Sequence, residues 1–330
     1  MYTLKIYALY QVRQPIIHTE ETIGNISKIK KLRVINNGKS VSIPALSGNS
    51  FRGQFRDILA DQMFAILTDK GADRIKLSPD HYGVLYSGGV LKETSRMGKQ
   101  MKSLVDAIPM LRLMGSAFGN VMLPSKLAVT HIIPYAVETE SILNPTVNGL
   151  SDKLRRLLPD ELPRRVDLLF NDGPLTRKDD TKDLTKQRYA ETEADLTEDE
   201  ETIKRQMIYY VECIPPGTFL LQELYSKYPL DDLELGCFFD SLQTFLQQPT
   251  LGGRSAAGYG QVKVFYQCKL NDKELFEVSS DLADELFEPV TKAVEKYRQY
   301  IQENRKDILS VLKATPIAEK GLDKNEQESK

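Results

Sequence analysis

Two arginines one helical turn apart, Arg52 and Arg56, follow a turn of small polar residues in the stretch Ile43-Pro-Ala-Leu-Ser-Gly-Asn-Ser-Phe-Arg-Gly-Gln-Phe-Arg-Asp-Ile-Leu59. A side-chain oxygen of Ser47, Asn49 or Ser50 can cap a helix that starts there, by accepting from an orphan backbone N–H. Phe51, Phe55, Ile58, Leu59, Gln62, Met63, Ile66 and Leu67 keep helical spacing, which predicts one buried apolar face. Arginines near a helix start oppose the macrodipole, at about 0.3–1 kcal/mol each, and a bound anion reverses that penalty. Free N–H groups, small residues and two guanidinium groups describe a phosphate site. Its candidate contacts are Ser47, Gly48, Asn49, Ser50, Arg52, Gln54 and Arg56. Taken alone, the stretch also fits a capped core helix with solvated arginines.

Upstream lies a second source of positive charge. Between Glu21 and Asp57 there is no acidic residue, while Lys28, Lys30, Lys31, Arg33, Lys39, Arg52 and Arg56 all fall in the interval. Lysine and arginine contacts to phosphate dominate sequence-independent nucleic-acid affinity, so Lys28, Lys30, Lys31 and Arg33 are candidates for a phosphate track. The alternative is a solvated basic loop. Lys92, Arg96, Lys99 and Lys102 form a further basic patch.

A third feature is the run Pro249-Thr-Leu-Gly-Gly-Arg-Ser-Ala-Ala-Gly-Tyr-Gly-Gln-Val-Lys-Val-Phe-Tyr266. A Walker A loop would end in Gly-Lys-Ser/Thr and open a helix, and a Rossmann loop would follow a strand. This loop does neither, because it enters a strand. Its glycines permit positive φ or close backbone approach. Gly252, Gly253, Arg254 and Tyr259 are the candidate contacts, Arg254 as a charge and Tyr259 as a stacking face. Metal and nucleophile chemistry find little support. The three histidines (His18, His81, His131) are scattered, and the three cysteines (Cys213, Cys237, Cys268) are widely spaced with no CxxC pair. We expect no metal and no cofactor. His131, set among apolar residues, reads as structural.

The whole chain must position these groups without a global basic field, since its 330 residues carry a net charge of −2. Residues 2–13 alternate and predict a strand, and Asn36-Asn37-Gly38 predicts a turn. Residues 126–137 predict a second strand. Residues 206–214 and 217–225 predict two more, joined at Pro215-Pro216-Gly217. Residues 231–248 predict an amphipathic helix with Leu235, Phe238, Phe239, Leu242, Phe245 and Leu246 inward. Residues 138–206, with a mixed-charge stretch at Arg177–Asp183 and an acidic run at Glu191–Glu201, predict a surface excursion. No signal-peptide pattern and no membrane-spanning run are present, so a cytoplasmic location is expected.

The order strand, helix, strand, strand, helix, strand predicts an α+β fold with a ferredoxin-like or RRM-like βαββαβ palm and an antiparallel sheet. The stretch from Ile43-Pro44 to Arg56 resembles the proline, small-polar turn and basic helix of the RAMP superfamily of CRISPR proteins. Leu251-Gly-Gly-Arg-Ser-Ala-Ala-Gly-Tyr-Gly-Gln-Val262 is similar to that superfamily's C-terminal glycine-rich loop. Within it, the chain looks most like the type IV backbone subunit of a class 1 effector complex, with type III and type I-D relatives as alternatives. The resemblance implies a palm at 1–67, 121–137 and 206–270, an inserted mainly helical lobe at 68–120, and a thumb-like excursion at 138–205. Arg177 and Lys178 are its candidate tip. A helical extension at 271–314 and a disordered tail at 315–330 complete the expected layout. It also implies the partners: guide RNA, target DNA or RNA reached through the guide, copies of the chain head to tail, and other CRISPR effector subunits, with no membrane.

The same resemblance bears on catalysis. Type III backbone subunits cut target RNA with an aspartate in the loop after the first strand. Here that loop, residues 24–42, holds no carboxylate and offers Asn25, Ser27 and lysines instead. Other members process guide precursors with a histidine near the N-terminus, for which His18 is the candidate. A non-catalytic RNA-binding subunit is therefore expected, with a RAMP-type ribonuclease as the alternative.

Overall fold

A computed structural model of the chain describes residues 1–68, 75–90, 98–118, 121–176, 208–281, 288–312 and 315–316. The chain opens with strands β1 (Leu4–Val12), β2 (Thr19–Ile23), β3 (Ile26–Ile29), β4 (Lys31–Asn36) and β5 (Lys39–Pro44), and then helix α1 (Gly48–Thr68). Strand β6 (Ile75–Lys76), helix α2 (Pro79–Tyr82) with a π-turn at Gly83–Ser87, strand β7 (Gly89–Val90), and helices α3 (Gly98–Ala107) and α4 (Pro109–Met114) come next. Strands β8 (Ser116–Phe118), β9 (Val121–Leu123), β10 (Leu127–Val129) and β11 (Ile133–Pro134) precede helices α5 (Glu140–Asn148) and α6 (Asp152–Arg155). The remainder comprises β12 (Phe170–Thr176), β13 (Ile208–Cys213), β14 (Phe219–Ser226), α7 (Asp232–Gln247), β15 (Val262–Leu270), β16 (Glu274–Ser279), α8 (Glu288–Glu303), α9 (Arg305–Val311) and β17 (Thr315–Pro316).

The main sheet is built around β1. Its strand-forming residues alternate, so Leu4, Ile6, Ala8, Tyr10 and Val12 face the large core, and Leu9 faces the other side. Antiparallel partners flank it, with Ala8 opposite Gln222 of β14 and Tyr266 of β15. The order is β10-β14-β1-β15-β16, with β11 also on β14. Taking β1, α1, β10, β14, α7 and β15 as βαββαβ, the four strands lie in the order second, third, first, fourth. This is the ferredoxin-like arrangement, in an α+β protein.

Helices α1 and α7 cover one face of the sheet. Phe55 meets Phe238 at 5.4 Å between ring centroids, and Phe51 meets Phe245 at 5.9 Å. Helix α7 begins at a capping box in which Asp231 and Glu234 exchange backbone bonds. It crosses α8 so closely that a Cβ at Gly236 would lie 2.1 Å from the Ala293 carbonyl oxygen. The opposite face carries Leu9 and Leu221, and the α5–α6 segment closes over them with Leu143, Leu150 and Leu154. A Cβ at Gly149 would fall 2.3 Å from the Tyr7 ring. The centre of the sheet face on which RRM modules stack bases is thus filled by protein.

One strand goes elsewhere than its sequence neighbours suggest. Residues 206–214 and 217–225 read as successive strands, yet only the second joins the main sheet. Both edges of β14 are already occupied, by β1 on one side and by β10 and β11 on the other. Strand β13 therefore pairs with β12 antiparallel and β3 parallel, in a second sheet of order β12-β13-β3-β2. The β4–β5 hairpin turns at Asn37 and Gly38, both at positive φ, which is the geometry its Asn-Gly sequence predicts. Among the described residues no helix is long and apolar enough to cross a membrane.

Candidate nucleic-acid interface

Three segments meet at one end of the main sheet: the chain leaving β1, the start of α1, and the glycine-rich loop between α7 and β15. The loop is tied to the residues after β1 by backbone bonds. Arg13 N donates to Gln261 O at 2.8 Å, Gly253 N to Ile17 O at 2.8 Å, and Gly260 N to Pro15 O at 2.8 Å. Gly252 has φ +81°, and a Cβ there would lie 2.2 Å from Ile17 O, so the approach requires glycine. Helix α1 holds the same loop through Gln54, whose Nε2 donates to Thr250 O at 2.8 Å. Between these supports runs a surface groove of about 610 Å³, lined by Arg13, Gln248, Thr250, Ser255 and Gln261 among others, with no carboxylate in its lining. Arg13 is exposed and supplies its positive charge. Sequence reading passed over Arg13 as the last residue of a strand. Its position just past β1, facing a glycine loop brought from 240 residues away, is a long-range property.

The helix start differs from its sequence reading. Helix α1 begins at Gly48, and Ser47 Oγ accepts from Ser50 N at 3.1 Å, so Ser47 acts as a cap. The neighbouring N–H groups are not open to phosphate. Ser47 N donates to His18 Nε2 at 3.3 Å, and Gly48 N donates to His131 Nδ1 at 3.1 Å. Gly48 packs tightly, since a Cβ there would lie 2.9 Å from Thr130 O. Asn49 is exposed and Ser50 half-buried.

Arg52 and Arg56 are turned inward, and this corrects their place as phosphate contacts. Arg52 donates to Met114 O at 2.8 Å, Leu127 O at 3.1 Å and Ser125 Oγ at 3.3 Å. Arg56 is buried and donates to Gly115 O at 2.8 Å and Met114 O at 3.2 Å. The physical reason lies in α4. Its last carbonyls have no intrahelical partners, and the two guanidinium groups satisfy them. Burial, reinforced by the neighbouring Arg52, lowers the Arg56 pKa to about 10, and burial lowers that of Arg52 as well.

The basic stretch is largely neutralised by carboxylates. Lys28 Nζ lies 2.9 Å and Lys31 Nζ 3.5 Å from Glu212 of β13, and Lys30 pairs with Glu20 at 3.1 Å. Burial pushes the Glu212 carboxyl up, but the Lys28 bond, the Ile29 N–H and the two lysine charges outweigh it and hold it below its ordinary value. Arg33 stands exposed on β4 opposite Ser42.

Arg254 and Tyr259 clasp the glycine loop to the second sheet. The Arg254 guanidinium lies over the Tyr209 ring at 5.1 Å, and Tyr259 OH donates to Asp172. Arg254 is nevertheless exposed, beside Ser255 of the groove. Gly252 and Gly253 lie where the loop touches Ile17. Arg177 and Lys178 fall outside the described residues, as do Lys92, Arg96, the acidic run and the tail after Pro316. Of the predicted contacts, Gln54, Gly252, Gly253 and Arg254 lie on or against the glycine loop beside the groove, and none of the four is in its lining. The lysines and Arg33 lie on the neighbouring strands β3 and β4 and the bend between them.

No model of a known protein family matches the chain, and no curated protein matches it. Among solved structures, a chain described as "Type IV-B CRISPR Complex" aligns with a TM-score of 0.48 and 18% sequence identity, over 82% of this chain and 92% of that one. A crystal structure of Csc2 from Thermofilum pendens aligns with a TM-score of 0.39 and 14% identity, over 96% of this chain and 78% of that one.

Proposed function

We propose that the chain is a non-catalytic backbone subunit of a class 1 CRISPR effector complex, of the RAMP superfamily and most like the type IV kind. In this reading it polymerises head to tail along a guide RNA in the cytoplasm, grips the phosphate backbone and presents the guide to a target nucleic acid. The observation that carries the reading is the groove at the glycine-rich loop. The two stretches whose sequences resemble the superfamily's motifs lie far apart in the chain, and Gln54 of the first bonds Thr250, the residue just before the second. The groove beside them has mixed polar and apolar walls, an exposed arginine and no carboxylate, which leaves it open to a sugar-phosphate strand. His18, the one candidate for RNA processing, has its Nε2 engaged by Ser47 N, which supports the non-catalytic side.

The contact set in this proposal is Arg13, Arg33, Gly253, Arg254, Ser255 and the amide of Gln261, with Lys28, Lys30 and Lys31 as a flanking field. Binding of a fluorescent single-stranded RNA, measured by anisotropy across a salt series, tests it. Each phosphate neutralised contributes a slope of about −0.7 in log K against log salt. Arg13→Glu should weaken binding about tenfold and make that slope shallower by about one contact. Binding that is indifferent to salt, or untouched by Arg13→Glu in a folded protein, overturns the proposal.

A further inference from the structure

The first turn of α1 hangs on two imidazoles from distant parts of the chain. His18, after β1, reaches Ser47 N with Nε2, and His131, between β10 and β11, reaches Gly48 N with Nδ1. A backbone N–H only donates, so each contacting nitrogen must present a lone pair and both rings must be neutral there. Protonating either ring sets N–H against N–H. It also adds a positive charge beside the positive end of a 21-residue helix. The charged side chains acting on His18 are Lys30 and Glu20, which bond each other at 3.1 Å, and Lys30 N donates to His18 O at 2.8 Å. Burial and the Lys30 charge lower the His18 pKa, while Glu20 opposes them.

We propose that His18 forms an acid-sensitive latch on the start of α1, beside the second acceptor His131, accepting from Ser47 N when neutral and releasing it when protonated. The sign follows from linkage. A histidine whose folded-state pKa is depressed contributes stability that is complete above the ordinary value near 6.5 and is lost as pH falls toward the folded value. The latch thus opens below about pH 6.5. Release frees the Ser47 donor and loosens the helix that carries Gln54, and through it the glycine loop.

Hydrogen exchange of the full-length protein, followed by mass spectrometry on peptides covering residues 44–52 and corrected for intrinsic chemistry, reads this directly. The comparison is the wild type with the double variant His18→Gln, His131→Asn, whose amide oxygens sit where Nε2 and Nδ1 sat and accept at every pH. The wild-type opening constant should stay level from pH 7.5 to about 6.5 and rise by up to about tenfold per pH unit below that as His18 charges. The double variant should stay flat across the range. If the double variant does not fold, His18→Gln alone should remove the acid response. Equal acid response in wild type and variants, or none in the wild type, overturns the latch.

Discussion

Replacing Arg56 should break the protein's fold before it touches any ligand. Its guanidinium makes two well-formed bonds to Gly115 O and Met114 O, and Arg52 makes a second bond to the same Met114 oxygen. A hydrogen bond from a charged donor is worth about 1.5–3 kcal/mol, and a buried carbonyl left unsatisfied costs about 1–3 kcal/mol. Against this, removing a buried guanidinium relieves its desolvation, which lowers the net loss. Arg56→Met, which keeps the length and the apolar stem, should therefore destabilise the protein by about 2–4 kcal/mol. Arg56→Glu should cost more, about 5 kcal/mol, because the carboxylate faces carbonyl oxygens with no donor. Arg52→Met should cost about 1–2 kcal/mol, because Arg56 still donates to Met114 O and Ser125 Oγ to Leu127 O. Lysine at position 56 should fall between, since it keeps the charge and loses the planar fork. Urea unfolding at unchanged m-value measures each change, and RNA affinity per folded molecule is read on the same preparations. An Arg56→Met protein that unfolds at the wild-type midpoint but has lost RNA affinity would refute the inward placement and return Arg56 to the phosphate.

Two further outcomes bear on the same end of the molecule. Gly252→Ala forces a side chain into a backbone at φ +81° with a carbonyl oxygen 2.2 Å away. The left-handed backbone alone costs about 1–2 kcal/mol, so the glycine loop should detach from Ile17, with a lower melting temperature and weaker RNA binding measured together. Glu212→Gln removes the carboxylate shared by Lys28 and Lys31. Because the Glu212 pKa is lowered in the fold, its contribution to stability is present above the ordinary value of about 4.5 and lost as pH falls through the folded value. The variant should show a shallower stability loss on acidification below that value, and at neutral pH tighter RNA binding from two released lysines. Unchanged acid unfolding curves would show that the pair contributes nothing measurable.

What could be read from the sequence was local. The alternation in Leu4–Val12, the helical spacing of Phe51, Phe55, Leu59 and Met63, and the Asn-Gly turn before β5 each specify an element through neighbours within a few residues, and the structure has all of them. Partnerships across long separations were not readable. Lys28 and Lys31 look like a free basic run until Glu212 folds back beside them, and the β13 strand is indistinguishable from a palm strand until the edges of β14 are counted. For Arg56 a signal existed. It lies three and four residues before Leu59 and Ala60 and so falls on the buried stripe, but an arginine on an apolar stripe points inward only if acceptors await it. Those acceptors are 58 and 59 residues away.

These long-range pairings also decide what charge is left for function. With a net charge of −2, the chain attracts an anion only where its cations are left uncompensated. The buried arginines hold the α4 carbonyls, and the three lysines of the basic stretch face Glu20 and Glu212. Arg13 and Arg33 stand exposed with no carboxylate in ion-pair distance among the described residues, one at the groove and the other on the β4–β5 hairpin. Under the proposed function, the field a phosphate strand meets is therefore set by few charges at chosen points, beside a loop whose backbone depends on Gly252 and Gly260 at positive φ. Under the proposed function, affinity comes from repetition along the strand, since one copy offers only a few contacts, and each lost contact is multiplied by the number of copies.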